Sequence, residues 1–163
     1  MINYNKKFII FGGNRLREDM PVTYIIDYLE RNKIKYLLVT DPIHLNKATK
    51  SKKKFKLHLK KKNYITYKKL DIKKILDKID KNTYGFSLNS IWKFPSPIIK
   101  KFKGKLFNYH AADLPSSRGA ANITWKILQN KYKFISINIH NVEEKFDTGN
   151  IVQSKKINLK NSE

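Results

Sequence analysis

Residues 7–40 read KFIIFGGNRLREDMPVTYIIDYLERNKIKYLLVT, and the order of patterns in this stretch decides the fold class. Lys7 to Phe11 is a short apolar run that stops at Gly12-Gly13, which reads as a strand entering a turn. From Val22 to Leu29 the apolar residues fall at helical spacing. Ile34 to Thr40 is again a compact apolar run, ended by Asp41-Pro42. Strand, helix and strand in that order predict a parallel pair joined by a right-handed crossover.

Downstream the alternation continues. Asp71 to Ile79 (DIKKILDKI) predicts an amphipathic helix with Asp71 as N-cap and Ile72, Ile75, Leu76 and Ile79 on one face. Tyr84 to Leu88 reads as a buried strand. Pro95 and Pro97 frame a connection to a two-turn helix over Ile98 to Phe102, and Lys105 to Tyr109 is the next strand. A helix is expected from about Ala120 to Asn130. Phe134 to Val142 and Asn150 to Ile157 then predict an antiparallel pair around the loop Glu143 to Gly149. The expected fold is α/β: a Rossmann-like open sheet, mostly parallel with an antiparallel C-terminal pair, helices on both faces, and residues 1–163 forming a single domain.

Composition narrows the chemistry. Hydrophobic residues make up 40% of the 163, enough for a packed interior. There is no cysteine, which excludes disulfides, thiolate metal sites and cysteine nucleophiles. The histidines stand at 44, 58, 110 and 140, and no pair has the spacing of a helical zinc motif, so no metal is expected. The run Phe8 to Phe11 is too brief for a signal-peptide core, and no stretch approaches the roughly 18 apolar residues of a membrane span. A soluble, cytoplasmic protein without a membrane partner is expected; its oligomeric state leaves no mark in the sequence.

The formal charge of +22 invites a polyanion partner. Lysine carries almost all of it, whereas arginine, the better bidentate ligand for phosphate, occurs only at 15, 17, 31 and 118. The densest stretch, Lys47 to Lys62 (KATKSKKKFKLHLKKK), reads as a charged edge strand or loop, with a nucleic-acid-binding arm as the other reading.

The polar residues most suited to catalysis sit at a strand end. In open α/β sheets ligands collect at the carboxyl ends of strands, and Asn108 and His110 close the strand Lys105 to Tyr109. They open the block NYHAADLPSSRG, in which His110 is followed at fixed distance by Leu114-Pro115 and then Arg118-Gly119. A second block, HNVEEKFDTG, runs from His140 through Asp147 to Thr148-Gly149. Two blocks in this order and spacing resemble the folate-dependent formyltransferase family, whose members include glycinamide ribonucleotide, methionyl-tRNA and sugar-nucleotide amine formyltransferases.

The resemblance implies a catalytic group of Asn108, His110 and Asp147, and the chemistry asks for those residue types. Formyl transfer to an amine builds charge on a carbonyl oxygen and releases a proton from nitrogen. Asn108 offers an amide N–H to that oxygen. His110 exchanges protons near neutrality, and Asp147 can orient it. Taken singly, His110 could be a satisfied core histidine, Asn108 a turn cap and Asp147 an ordinary loop residue.

The resemblance further implies 10-formyltetrahydrofolate as formyl-donor cosubstrate. Its binding segments are Ser87, Leu88, Asn89, Ile91 and Trp92, and Asn141, Val142 and Glu143. Ile91 and Trp92 could flank a flat pterin ring, although Trp92 reads equally well as core. Gly12, Gly13 and Asn14 are the candidates for substrate phosphate, or a turn required by geometry alone. Pro115, Arg118, Gly119, His140 and Gly149 are expected to support the site.

Three departures stand out. Ala112-Asp113 replaces the Ser-Leu common before Leu-Pro, Asn138 replaces a Thr or Ser, and relatives continue beyond Glu163 into at least one further helix, so the single catalytic domain is expected to lack its last helix. The wording around Arg118 favours a nucleotide-linked amino sugar as the amine. The alternatives are a methionyl-tRNA formyltransferase, with tRNA as partner, a 10-formyltetrahydrofolate hydrolase, and a non-enzymatic basic module binding nucleic acid or an anionic surface.

Overall fold

The structure is a computed structural model, and it describes residues 6–12, 21–43, 64–119, 122–128 and 134–158. The chain divides into two compact units, Met1–Leu106 and Phe107–Glu163.

The first unit is built on parallel strands. β1 (Lys7–Gly12) lies between β2 (Lys35–Thr40) and β4 (Thr83–Leu88), and a three-residue β3 (Tyr64–Thr66) extends the sheet beyond β2, giving the order β3-β2-β1-β4. Ile9, Ile10 and Phe11 are completely buried although successive residues face opposite sides, which is how a strand covered on both faces reads.

The covering helices can be assigned from contacts. α1 (Pro21–Arg31) begins with proline at its first position, where the missing N–H costs nothing, and buries Val22, Thr23, Ile26 and Leu29. A Cβ on Gly12 would stand 2.8 Å from Val22 Cγ2 and 3.3 Å from Leu38 Cδ1, so α1 lies on the Gly12 face and needs a glycine beneath it. Phe11 points the other way. Its ring packs edge-on against Phe94 at 4.8 Å and Phe102 at 6.3 Å, which places α3 (Ser96–Phe102) on the opposite face. Helices therefore cover both faces of this sheet, as expected.

α2 (Ile72–Leu76) is shorter than the predicted Asp71 to Ile79. Asp71 does cap it, accepting from the Lys74 N–H at 3.1 Å. The N–H groups of Lys78 and Ile79 then bond the carbonyls of Ile75 and Leu76, a tightened i to i−3 turn that ends the α-helix early. Ile75 and Ile79 are buried, but Ile72, expected on the same face, is 40% exposed. The N–H of Gly85 bonds the Lys105 carbonyl at 2.8 Å, and a side chain at Gly85 would collide with Phe102 and Leu106.

The second unit is antiparallel. β5 (Leu106–His110, of which Leu106 belongs to the first unit) pairs with β6 (Phe134–Asn141), and β6 with β7 (Ile151–Asn158). β6 thus runs against both neighbours, one more antiparallel pairing than the sequence predicted. Its buried side is polar, carrying Ser136, Asn138 and His140. The β6–β7 register shifts by one residue between Ile139 and His140, and Val152 is left opposite no partner. α4 is described over Asn122–Leu128. No helix among the described residues is long and apolar enough to cross a membrane.

Candidate active site

Pairing of β5 with β6 sets Asn108 opposite His140 and His110 opposite Asn138, so four polar side chains meet across two strands. The loop after β6 adds Asp147, which has a left-handed backbone at φ 53°, a conformation aspartate tolerates better than most residues. Its carboxylate faces three of them, Asn108, His110 and His140. Oδ1 accepts from Asn108 Nδ2 at 3.3 Å and lies 3.3 Å from His140 Nε2. Oδ2 accepts from the Gly119 N–H at 2.8 Å and lies 3.6 Å from His110 Nδ1. Asn108, His110 and Asp147 are therefore together, as expected, and His140 belongs with them.

Both histidines have a second contact that fixes the ring. His110 Nε2 is 2.8 Å from the Ser117 carbonyl, and His140 Nδ1 is 2.7 Å from the Asn141 carbonyl. A carbonyl oxygen only accepts, so each of these nitrogens carries a proton. The side chains of His110, His140 and Asp147 are 11%, 3% and 10% exposed, a setting in which charge-assisted bonds gain strength.

Burial opposes charge on Asp147, but the His140 hydrogen bond, the Gly119 N–H and the two histidines outweigh it and hold its pKa below 3.8. Burial likewise opposes charge on His140. The hydrogen bond to Asp147, the Asn141 carbonyl and the charge of Asp147 outweigh it, and its pKa is raised above 6.5.

Two of the expected support residues, Gly119 and Gly149, are fixed by close backbone contacts. Gly119, at φ 90°, turns the chain through a region closed to other residues and so aims its N–H at Asp147. Gly149 lies directly against the Asn141 carbonyl, where any Cβ would overlap it. The Leu114–Pro115 peptide bond is cis, and Pro115 and Arg118 are exposed. The departures also find partners. Asn138 Nδ2 donates to the Ala112 carbonyl at 2.5 Å. Asp113 is paired with Lys126 of α4, whose hydrogen bond holds the carboxyl below the ordinary carboxylate pKa.

Sequence reasoning missed the Ser117 carbonyl and the Lys126 partner. The first is a backbone group with no signature in side-chain identity; the second needed the fold to bring residues 113 and 126 together.

The expected folate segments are described within their own units. In the first, Ser87 and Leu88 are buried at the end of β4, Asn89 turns the chain at φ 55°, and Ile91 is 48% exposed. Trp92 is half-buried and donates its Nε1–H to the Lys68 carbonyl at 3.4 Å, so it is neither core nor free. In the second, Asn141 closes β6, its N–H bonding the Asn150 carbonyl, Val142 is half-buried and Glu143 exposed. Of the proposed phosphate contacts, Gly12 has the packing role described above, while Gly13 and Asn14 lie outside the described residues, as does Lys47 to Lys62. Among the described residues no group of three or more His, Asp or Glu is arranged to hold a metal ion.

Comparison with known proteins supplies the family. Residues 25–163 match the formyl transferase family model. A methionyl-tRNA formyltransferase of Finegoldia magna is 33% identical over 99 residues, covering 60% of this chain and 32% of that protein. That match thus spans about a third of the length of the relative, and the match to the Prochlorococcus marinus subsp. pastoris enzyme of the same name covers only 21% of it. Among solved structures, a formyltetrahydrofolate deformylase of Pseudomonas syringae pv. tomato superposes with a TM-score of 0.72 at 13% identity, over 97% of this chain and 53% of that one. A sugar N-formyltransferase of a Shewanella species gives 0.65 at 19% identity, over 94% and 58%. These two likenesses establish the shared fold.

Proposed function

Because this chain belongs to the formyl transferase family, we propose that it moves a formyl group from 10-formyltetrahydrofolate to a primary amine. The observation that carries this reading is the convergence of Asn108, His110 and His140 on the Asp147 carboxylate. The amine nitrogen attacks the formyl carbon, the bond from that carbon to the donor nitrogen breaks, and a proton passes from the amine to the released nitrogen.

Each residue serves one part of that change. Asn108 directs an amide N–H at the formyl oxygen as negative charge builds there. His110, half-buried and fixed by the Ser117 carbonyl, handles the proton. Asp147 stays ionised in its ring of donors, orients Asn108 and faces both imidazoles. An amide N–H, two imidazoles and a carboxylate are the groups that proton transfer and oxyanion stabilisation in carbonyl chemistry call on.

The acceptor follows best from sequence relationship. The relatives above 30% identity are methionyl-tRNA formyltransferases, and a net charge of +22 suits a substrate carrying a phosphate backbone. An aminoacyl-tRNA amine is therefore the first reading. A nucleotide-linked amino sugar is the second, favoured by the wording SSRGAANITWKILQN around Arg118.

The test is a panel assay. Purified chain is incubated with 10-formyltetrahydrofolate and methionyl-tRNA, nucleotide-linked amino sugars or no amine, and folate release is followed. Transfer to one amine is expected, with losses of about a hundredfold or more for Asn108→Ala and His110→Ala. Formyl release to water alone would make the protein a hydrolase, and no folate turnover with any acceptor would end the proposal.

A further inference from the structure

The position of His140 deepens this reading and rests on it. We propose that His140 is a positioning residue whose protonation state decides whether Asn108 has an N–H available for the formyl oxygen.

The argument is one of counting donors. His140 Nδ1 keeps its proton in either state, because it faces the Asn141 carbonyl at 2.7 Å. Only Nε2 gains or loses one. That atom lies 3.2 Å from Asn108 Nδ2 and 3.3 Å from Asp147 Oδ1, and those two are 3.3 Å apart, so the three polar atoms form a closed triangle.

Without its proton, Nε2 is an acceptor. It takes one N–H of Asn108 while Asp147 takes the other, and the amide has nothing left to offer. The lone pair of Nε2 also faces the carboxylate oxygen, an unfavourable contact. With its proton, Nε2 donates to Asp147 Oδ1 and ceases to accept from Asn108. The amide then holds Asp147 with one N–H and has the second free for charge developing on a substrate oxygen. The protonated ring is thus the competent form.

The surroundings favour that form. His140 is 2% exposed in the polar face of β6. Its register partners, Asn108 on β5 and Ile151 on β7, do not ionise. Among the described residues the ionisable groups facing it are Asp147 from the loop and His110 from β5, whose ring lies edge-on at 6.3 Å. Against burial, the bond to Asp147 and the Asn141 carbonyl raise its pKa above 6.5, so the charged ring persists to higher pH than a free imidazole.

Two measurements on the full chain test this. In a nitrogen-15 NMR titration, the Asn108 side-chain amide is expected to shift with the His140 ring, and Asp147→Asn is expected to lower the pKa of His140. Asn108 resonances that ignore the His140 titration would overturn the proposal. In kinetics, kcat of the wild type should fall as pH rises through the His140 pKa. His140→Gln, which presents a permanent N–H toward Asp147, should remain within about tenfold of the wild type and lose that alkaline fall, whereas His140→Ala should lose about a hundredfold. An alkaline limb unchanged in both variants counts against the idea. A chain that transfers no formyl group yet shows the coupled NMR titration overturns the functional reading and retains the coupling of His140 to Asn108.

Discussion

The Asn141 carbonyl shows how a single backbone atom can control a site. It accepts from His140 Nδ1, and Gly149 lies so close to it that a methyl group there would occupy the same space. Gly149→Ala must therefore push Asn141 away, loosening both the His140 ring and the bond between the Asn141 N–H and Asn150. A loss of about 1–3 kcal/mol is expected in urea unfolding. The charged residues make a second prediction, with opposite signs. His140, raised above 6.5, stabilises the fold fully below that value, and its contribution is lost as pH rises through its folded pKa. Asp147, held below 3.8, contributes above 3.8 and ceases to do so as pH falls through its folded pKa. Stability from the pair is thus greatest between those limits. Asp147→Asn should flatten both limbs of a urea midpoint measured against pH; a profile identical to the wild type would show that the pair contributes nothing.

At the scale of elements, the seat of α1 on the sheet separates two roles for Gly12. If the glycine is there for packing, Gly12→Ala should cost about 1–3 kcal/mol by forcing its Cβ against Val22. Val22→Ala should cost a similar amount by leaving a cavity. The double variant should then cost less than the sum of the two, since each change relieves the other, and strict additivity in a thermal unfolding cycle would refute the packing account. The same region shows what was legible in the sequence. The β1-α1-β2 order followed from the uninterrupted run at Ile9 to Phe11 and the helical spacing from Val22, because burial on both faces writes itself directly into composition. β3 did not, since three residues cannot display a period. Nor did the early end of α2, which is set by local carbonyl geometry. At the site, Asn108, His110 and Asp147 were legible through the family resemblance that their two blocks carry, whereas the closeness of His140 to Asn108 depends on the β5–β6 register and its closeness to Asp147 on the left-handed turn there.

At the scale of the molecule, charge is the property that can distinguish the acceptors. A chain carrying +22 attracts any polyanion, and binding to a phosphate backbone releases condensed counterions as lysines replace them. If methionyl-tRNA is the acceptor, its affinity should therefore fall steeply with salt, with a logarithmic slope of about −0.7 to −0.9 for each phosphate neutralised. A nucleotide-linked amino sugar carries too few charges for such a slope, and its KM should change little over the same range. Salt has a separate effect on the fold. With positive charge in such excess, screening relieves self-repulsion, and the urea midpoint should rise as sodium chloride is added. Measuring KM and unfolding in the same salt series keeps the effects apart: the folded fraction stays constant or increases while tRNA turnover at low substrate falls. If transfer to tRNA proved insensitive to salt, the positive charge would have no part in holding the acceptor; transfer to an amino sugar and none to tRNA would put the amino-sugar reading in its place.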